Sequence, residues 1–183
     1  TQFRMMDWHL ECSACSTIAP ADGLPTVCEC GQPWLVRYPN RHHDLADRDR
    51  YATGRGMWRF TGFLPLAAGE APVSLGEGDT PLLATPRLGA SIGLPGLLVK
   101  DEACNPTGSF KARGLSAAIS RAVAGGARTF TLPTAGNAGV AASAYGARAG
   151  VAVRVYAPRT TPPMILGQIV ATGGDLHLLD GHI

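Results

Sequence analysis

The stretch Asn105-Pro106-Thr107-Gly108-Ser109-Phe110-Lys111-Ala112-Arg113-Gly114 delivers a lysine from a Pro-Thr-Gly turn into the first turn of an expected helix. A helix N-terminus carries unpaired N–H groups and partial positive charge, so it favours anions over cations. The ammonium form of a lysine placed there is disfavoured, and the amine becomes the better nucleophile that Schiff-base chemistry needs. The plain alternative is a solvated lysine that happens to lie near a helix start. Only Lys100 and Lys111 supply lysine amines in this chain, against 14 arginines, so few groups compete for that role.

Two further patterns carry chemistry. Leu132-Pro133-Thr134-Ala135-Gly136-Asn137-Ala138-Gly139 lies between an expected strand and a helix start. Successive backbone N–H groups at such a turn suit a carboxylate or phosphate, and the Asn137 amide can donate to an oxygen on a bound ring. An ordinary turn with Asn as a helix cap is the competing reading. Near the N-terminus, Cys12-x2-Cys15 and Cys28-x-Cys30 resemble the two knuckles of a zinc ribbon, and four thiolates suit tetrahedral Zn²⁺. The one-residue spacing of the second knuckle departs from the usual two. A disulfide or a relic ribbon without metal are the alternatives. Cys104 reads as a small buried hydrophobe, and His42-His43 as a solvated pair.

The elements that must position these residues follow from pattern. Leu97–Lys100 reads as a short buried strand, 112–124 as a helix stopped by Gly125-Gly126, and Thr129–Leu132 as a strand. Asn137–Ala149 is an Ala-rich helix closed by Gly150, Val151–Tyr156 a strand, Pro163–Thr172 a helix and Asp175–Leu179 a last strand. Alternation of strand and helix with short glycine turns predicts an α/β fold of βαβ units around a parallel sheet. Residues 1–40 form a Cys-rich, ribbon-like segment ending in a Trp34–Tyr38 strand. Residues 41–74 read as a connector with a short helix near Leu45–Tyr51, and 75–183 as an incomplete catalytic region.

Composition narrows the function. Of 183 residues, 45% are hydrophobic and 16% charged, with a net charge of +2, which fits a soluble globular protein. The basic residues around Arg41–Arg50 are interleaved with Asp44, Asp47 and Asp49, so no nucleic-acid stripe forms. No run approaches the ~20 apolar residues of a membrane helix. The N-terminus lacks the charged start and apolar core of a signal peptide, and a cytoplasmic location is expected.

Pro-Thr-Gly-Ser-Phe-Lys-x-Arg-Gly resembles the lysine motif of pyridoxal-phosphate enzymes of the tryptophan synthase β type, fold type II, and within them most resembles the threonine synthase family. Ala112 stands where that family often has Asp. Ser74-Leu75-Gly76-Glu77-Gly78-Asp79-Thr80-Pro81-Leu82, the Thr134–Asn137 loop and Tyr156-Ala157-Pro158 extend the likeness over residues 57–183. The resemblance implies that Lys111 binds pyridoxal phosphate as a Schiff base and acts as the catalytic base. Phe110 and Asn137 would contact the cofactor, while Thr134, Ala135, Gly136 and Ala138 would hold the substrate carboxylate. The implied reaction converts O-phospho-L-homoserine and water to L-threonine and phosphate. Related serine/threonine dehydratases and cysteate synthase-like enzymes, or a non-catalytic binding fragment, are the alternatives. After position 139 only Gly173-Gly174 is Gly-rich, so the family's cofactor-phosphate loop is missing. The chain is therefore expected to be the N-terminal portion of a longer enzyme, weakly active or inactive alone, with a homo-oligomer expected for the full-length form.

Overall fold

A computed structural model describes residues 8–21, 23–38 and 53–182. The expected helix near Leu45–Tyr51 and the His42-His43 pair lie outside the described residues.

The Cys-rich segment folds as a small antiparallel sheet in the order β2-β1-β3, with β1 at His9–Cys12, β2 at Ile18–Ala19 and β3 at Trp34–Arg37. Pairing of Cys12 with Trp34 across β1 and β3 sets the register. The turns at the ends of these strands carry the cysteines. A 3₁₀ segment at Met57–Phe63 then leads into an extended stretch.

β4 (Leu82–Ala84) and β5 (Leu98–Lys100) pair antiparallel as a separate two-stranded sheet, with the short helix α1 (Pro86–Ser91) between them. Here the expectation fails in part. The strand at Leu98–Lys100 forms, but all three residues are exposed, and the strand does not join the parallel sheet. An apolar run of this length reads the same whether it is buried or lies on a two-stranded ribbon.

The rest follows the βαβ pattern. α2 spans Lys111–Ala124, β6 Thr129–Pro133, α3 Asn137–Ala149, β7 Ala152–Pro158, α4 Pro163–Ala171 and β8 Asp175–Leu179. β6, β7 and β8 are adjacent and parallel, with Phe130 opposite Val153 and Val155 opposite Leu176. β7 runs two residues past its expected end because Pro158, which lacks an N–H, is tolerated at a strand terminus. Among the described residues no helix is long and apolar enough to cross a membrane.

Two buried clusters hold this region together. Val153 and Val155 of β7 pack on Val140 and Ala142 of α3 and Ile169 of α4. Ala112 and Ile119 of α2 pack on Ala141 and Tyr145 of α3. Ala112 is fully buried in that second cluster, where a carboxylate would need a partner; the small apolar residue suits the packing found here. The Ala-rich sequence of α3 permits close approach. A Cβ at Gly146 would lie 2.1 Å from Val153 Cγ2, so nothing larger fits. Gly150 ends α3 in the left-handed region, at φ +69°.

Gly146→Ala should cost about 1–3 kcal/mol through overpacking. Gly114→Ala, on an exposed helical position with open space around the added Cβ, should gain about 0.5–1 kcal/mol. Chemical denaturation of the two variants checks both signs.

Candidate functional site

Lys111 is the first residue of α2, preceded by Phe110 in an α conformation. The turn that delivers it is tight: Pro106–Gly108 forms one 3₁₀ turn in which Thr107 (φ +66°) and Gly108 (φ +70°) are both left-handed. Glycine takes that region freely and threonine does not. This turn packs against α3, whose first residue is Asn137, so the lysine turn and the asparagine helix are brought together. The Lys111 ammonium lies 4.5 Å from the centroid of the Phe110 ring, and among the described residues it has no carboxylate partner. Lys100, by contrast, donates to the carbonyl of Thr80.

The loop from β6 to α3 is held at both ends. The Thr134 N–H donates to the Tyr156 carbonyl at 2.9 Å, and the Gly136 N–H donates to Thr134 Oγ1 at 3.1 Å. Gly139 N–H to the Gly136 carbonyl, 3.0 Å, opens the helix. Thr134 is buried, Gly136 and Ala138 are half-buried, and Ala135 and Asn137 are exposed. A Cβ on Gly139 would meet Thr134 Cγ2 at 2.6 Å, Ile169 Cδ1 at 3.0 Å and Val155 Cγ1 at 3.1 Å, which fixes glycine there.

Behind α2 lies a group that sequence reasoning left without a role. Glu77 is fully buried. Its Oε1 accepts Trp58 Nε1–H at 2.7 Å and lies 2.6 Å from Ser116 Oγ. Its Oε2 accepts Tyr145 Oη–H at 2.6 Å and the Leu75 N–H at 3.0 Å. Burial alone would push this carboxyl up, but the bonds from Ser116, Tyr145 and Leu75 outweigh it and hold Glu77 below its ordinary value. Tyr145 is raised correspondingly, by burial and by Glu77. Flanking glycines at φ +90° (Gly76) and +107° (Gly78) turn the backbone sharply at Glu77. An acid between two glycines was the sequence signal that could have found it.

A second carboxylate, Glu102, faces the lysine motif itself. It accepts Arg113 Nε–H at 2.6 Å, Arg113 Nη2–H at 2.8 Å, Thr80 Oγ1–H at 2.7 Å and Asn105 Nδ2–H at 2.9 Å. Those bonds, the Arg113 pair foremost, hold its carboxyl at about 2.

The four cysteines converge. Their sulfurs all lie within 4.8 Å of one another, with Cys12–Cys30 at 3.4 Å and Cys15–Cys28 and Cys15–Cys30 at 3.6 Å. The S···S edge of a Zn–thiolate tetrahedron is ~3.8 Å for Zn–S bonds of ~2.3 Å, so the donor set fits that ion. N–H groups of Ala14 and Cys15 point at Cys12 Sγ, both at 3.5 Å. Gly31, at φ +82°, returns its N–H to the Cys28 carbonyl and lets the one-residue knuckle close. The Thr17 hydroxyl and backbone lower Cys15 to about 6. This cluster is separate from Lys111. The ribbon instead meets the far end of α2, where Arg121 lies 5.5 Å over the Trp8 ring and Leu24 Cδ2 sits 2.9 Å from where a Gly125 Cβ would be. Cys104, expected to be buried, is exposed.

Residues 73–183 match the model of the family described as pyridoxal-phosphate dependent enzyme. The chain belongs to that family. It is 34% identical to the threonine synthase of Methanosarcina acetivorans over 153 residues, covering 82% of this chain and 37% of that protein. Against the threonine synthase of Mycobacterium leprae it is 41% identical over 120 residues, 65% of this chain and 33% of that one. Among solved structures it is similar to a pyridoxal 5′-phosphate-dependent aspartate racemase, with 28% identity, a TM-score of 0.53, and 55% and 32% of the two chains covered. The family hit spans the lysine motif and the Gly-Asn loop, and the βαβ region has the fold type II architecture of these enzymes. The chain spans about a third of the length of the curated relatives it matches.

The residues fit the cofactor on their own chemistry. Among the described residues, an amine without a carboxylate partner stands at a helix start whose preceding turn packs on the Asn137 helix, and the hydroxyls of Thr107 and Ser109 in that turn are buried with no partner among the described residues.

Glu77→Gln turns an NH₂ group toward donors and should cost about 1–3 kcal/mol, more than Tyr145→Phe, in denaturant titrations. Acid unfolding checks the charge. Because Glu102 is held at about 2 against an ordinary 4.5, its contribution is full above pH 4.5 and is lost as pH falls towards 2. Glu102→Gln should therefore narrow its stability gap from wild type across that window.

Proposed function

We propose that this chain is the lysine-bearing part of a threonine synthase, which converts O-phospho-L-homoserine and water to L-threonine and phosphate. The observation that carries the reading is Lys111: an amine at a helix start, with no carboxylate partner among the described residues and packed beside the Asn137 helix, in a chain 34–41% identical to threonine synthases. The similarity to an aspartate racemase supports, as a second reading, another amino-acid enzyme of the same fold.

Pyridoxal phosphate, when bound, supplies a ring that takes up the charge left at the substrate α carbon. Lys111 would hold it covalently and, once displaced by the substrate amine, move protons at the α and β carbons. Asn137 would orient the ring through its amide, with Phe110 beside it. The Thr134-Ala135-Gly136 turn and Ala138, at the N-terminus of α3, would bind the substrate carboxylate through backbone N–H groups.

The division into a ribbon (1–40), a connector (41–74) and a catalytic region (75–183) belongs to the same reading. So does a structural Zn²⁺ on Cys12, Cys15, Cys28 and Cys30, supported by the compact sulfur tetrahedron. Five free cysteines fit a reducing, cytoplasmic setting. The full-length form is taken to be a homo-oligomer.

Borohydride reduction with pyridoxal phosphate, followed by peptide mass mapping, should place the adduct on Lys111 and leave Lys100 unmodified. An adduct on Lys100, or on neither lysine, would contradict the reading. Elemental analysis should find one zinc per chain, lost in Cys12→Ser. Metal-free protein with unchanged stability would remove the zinc assignment.

A further inference from the structure

Lys111 sits inside a bracket. The turn before it holds a threonine in the left-handed region, and the Thr107 hydroxyl, buried with no partner among the described residues, does nothing to hold it there. Something outside the turn must fix its ends. On the N-terminal side stands Asn105, buried, which gives its amide to the Glu102 carboxylate at 2.9 Å and to the Glu102 carbonyl at 3.0 Å. Its own side-chain oxygen accepts the Gly78 N–H at 3.0 Å, and its carbonyl accepts the Gly108 N–H at 2.9 Å. On the C-terminal side stands Arg113, which grips the same carboxylate through Nε and Nη2. One carboxylate therefore ties the residue six places before Lys111 to the residue two places after it. Thr80 adds a third strap from the Gly-Glu-Gly-Asp-Thr segment, donating to Glu102 at 2.7 Å and accepting Arg113 Nη2–H at 3.2 Å.

We propose that Glu102 is the positioning residue for Lys111: by closing the Asn105–Arg113 bracket it sets the direction in which the first turn of α2 presents the amine. The proposal rests on the reading of Lys111 as the cofactor lysine. Glu102 needs no contact with cofactor or substrate to do this. Its planar carboxylate matches the guanidinium fork and still has lone pairs for Asn105 and Thr80. The same pairing commits Arg113 to the protein, so this arginine is occupied as a strut and is not a free reader of a substrate phosphate. The Glu77 network, which uses Trp58, Ser116, Tyr145 and Leu75, shares no residue with the bracket and stabilises the fold independently of it. Loss of Glu102 should therefore misdirect the lysine without unfolding the domain.

The test uses the full-length protein stripped of cofactor and mixed with pyridoxal phosphate. Three quantities are read: folded fraction by circular dichroism, total cofactor bound by ultrafiltration, and the rate of covalent linkage at Lys111 by timed borohydride quench and mass mapping. In Glu102→Gln the linkage rate should fall roughly 10²-fold, the scale of a misplaced reacting group, with folded fraction and total bound cofactor unchanged. Arg113→Lys, which keeps the charge but offers one prong, should lose less. Glu102→Asp should recover part of the rate. A folded Glu102→Gln that links at the wild-type rate overturns the proposal, as does a loss of linkage only in proportion to lost folding or lost cofactor. Should Glu102→Gln fail to fold, the rates in Arg113→Lys and Asn105→Ala decide by the same criterion. A wild type that binds cofactor but never links it at Lys111 overturns the reading of Lys111 itself, a result distinct from an unaffected Glu102→Gln.

Discussion

A carboxylate buried completely behind a helix is the constraint on which the rest of this domain depends. Glu77 draws donors from four segments: the 3₁₀ stretch through Trp58, its own loop through Leu75, α2 through Ser116 and α3 through Tyr145. An ionised group without such partners would be expelled or neutralised. The four segments are therefore held in one mutual arrangement wherever the charge is kept. Because α2 carries Lys111 at its first position and α3 carries Asn137 at its own, fixing the two helices against each other also fixes the spacing of the two proposed site residues.

The same logic operates at a second level. Glu77 sets how the helices lie, and Glu102 braces the short, strained turn that ends in the lysine. The first is buried and the second half-buried, as suits a frame and an adjustable strut. The ribbon makes its contacts at the opposite end of α2, through Trp8 and Leu24. The ribbon thus braces the far end of the helix, away from the amine.

Much of this was legible in the residues. Helix stops at Gly125-Gly126, Gly150 and Gly173, and the strand-helix alternation from Thr129 onwards, follow from local chemistry, and α3 and β8 begin and end where the pattern places them. The cysteine spacing foretold a cluster, which forms. What stayed hidden depends on long-range contact. Nothing local says that Leu98–Lys100 lies exposed on a two-stranded ribbon, that Cys104 faces outwards, or that Glu77 reaches Tyr145 sixty-eight residues away. Arg113 reads locally as part of the lysine motif; its partner is revealed only when the chain brings Glu102 and Thr80 beside it.

The most direct measurement of this arrangement is a crystal structure of the full-length protein grown with pyridoxal phosphate. Continuous electron density from Lys111 Nζ to the cofactor, with the Asn137 amide at hydrogen-bond distance from the ring and Glu102 still gripping Arg113 and Asn105, is the predicted result. Cofactor bound elsewhere, or bound beside a Lys111 that remains unlinked, would contradict it.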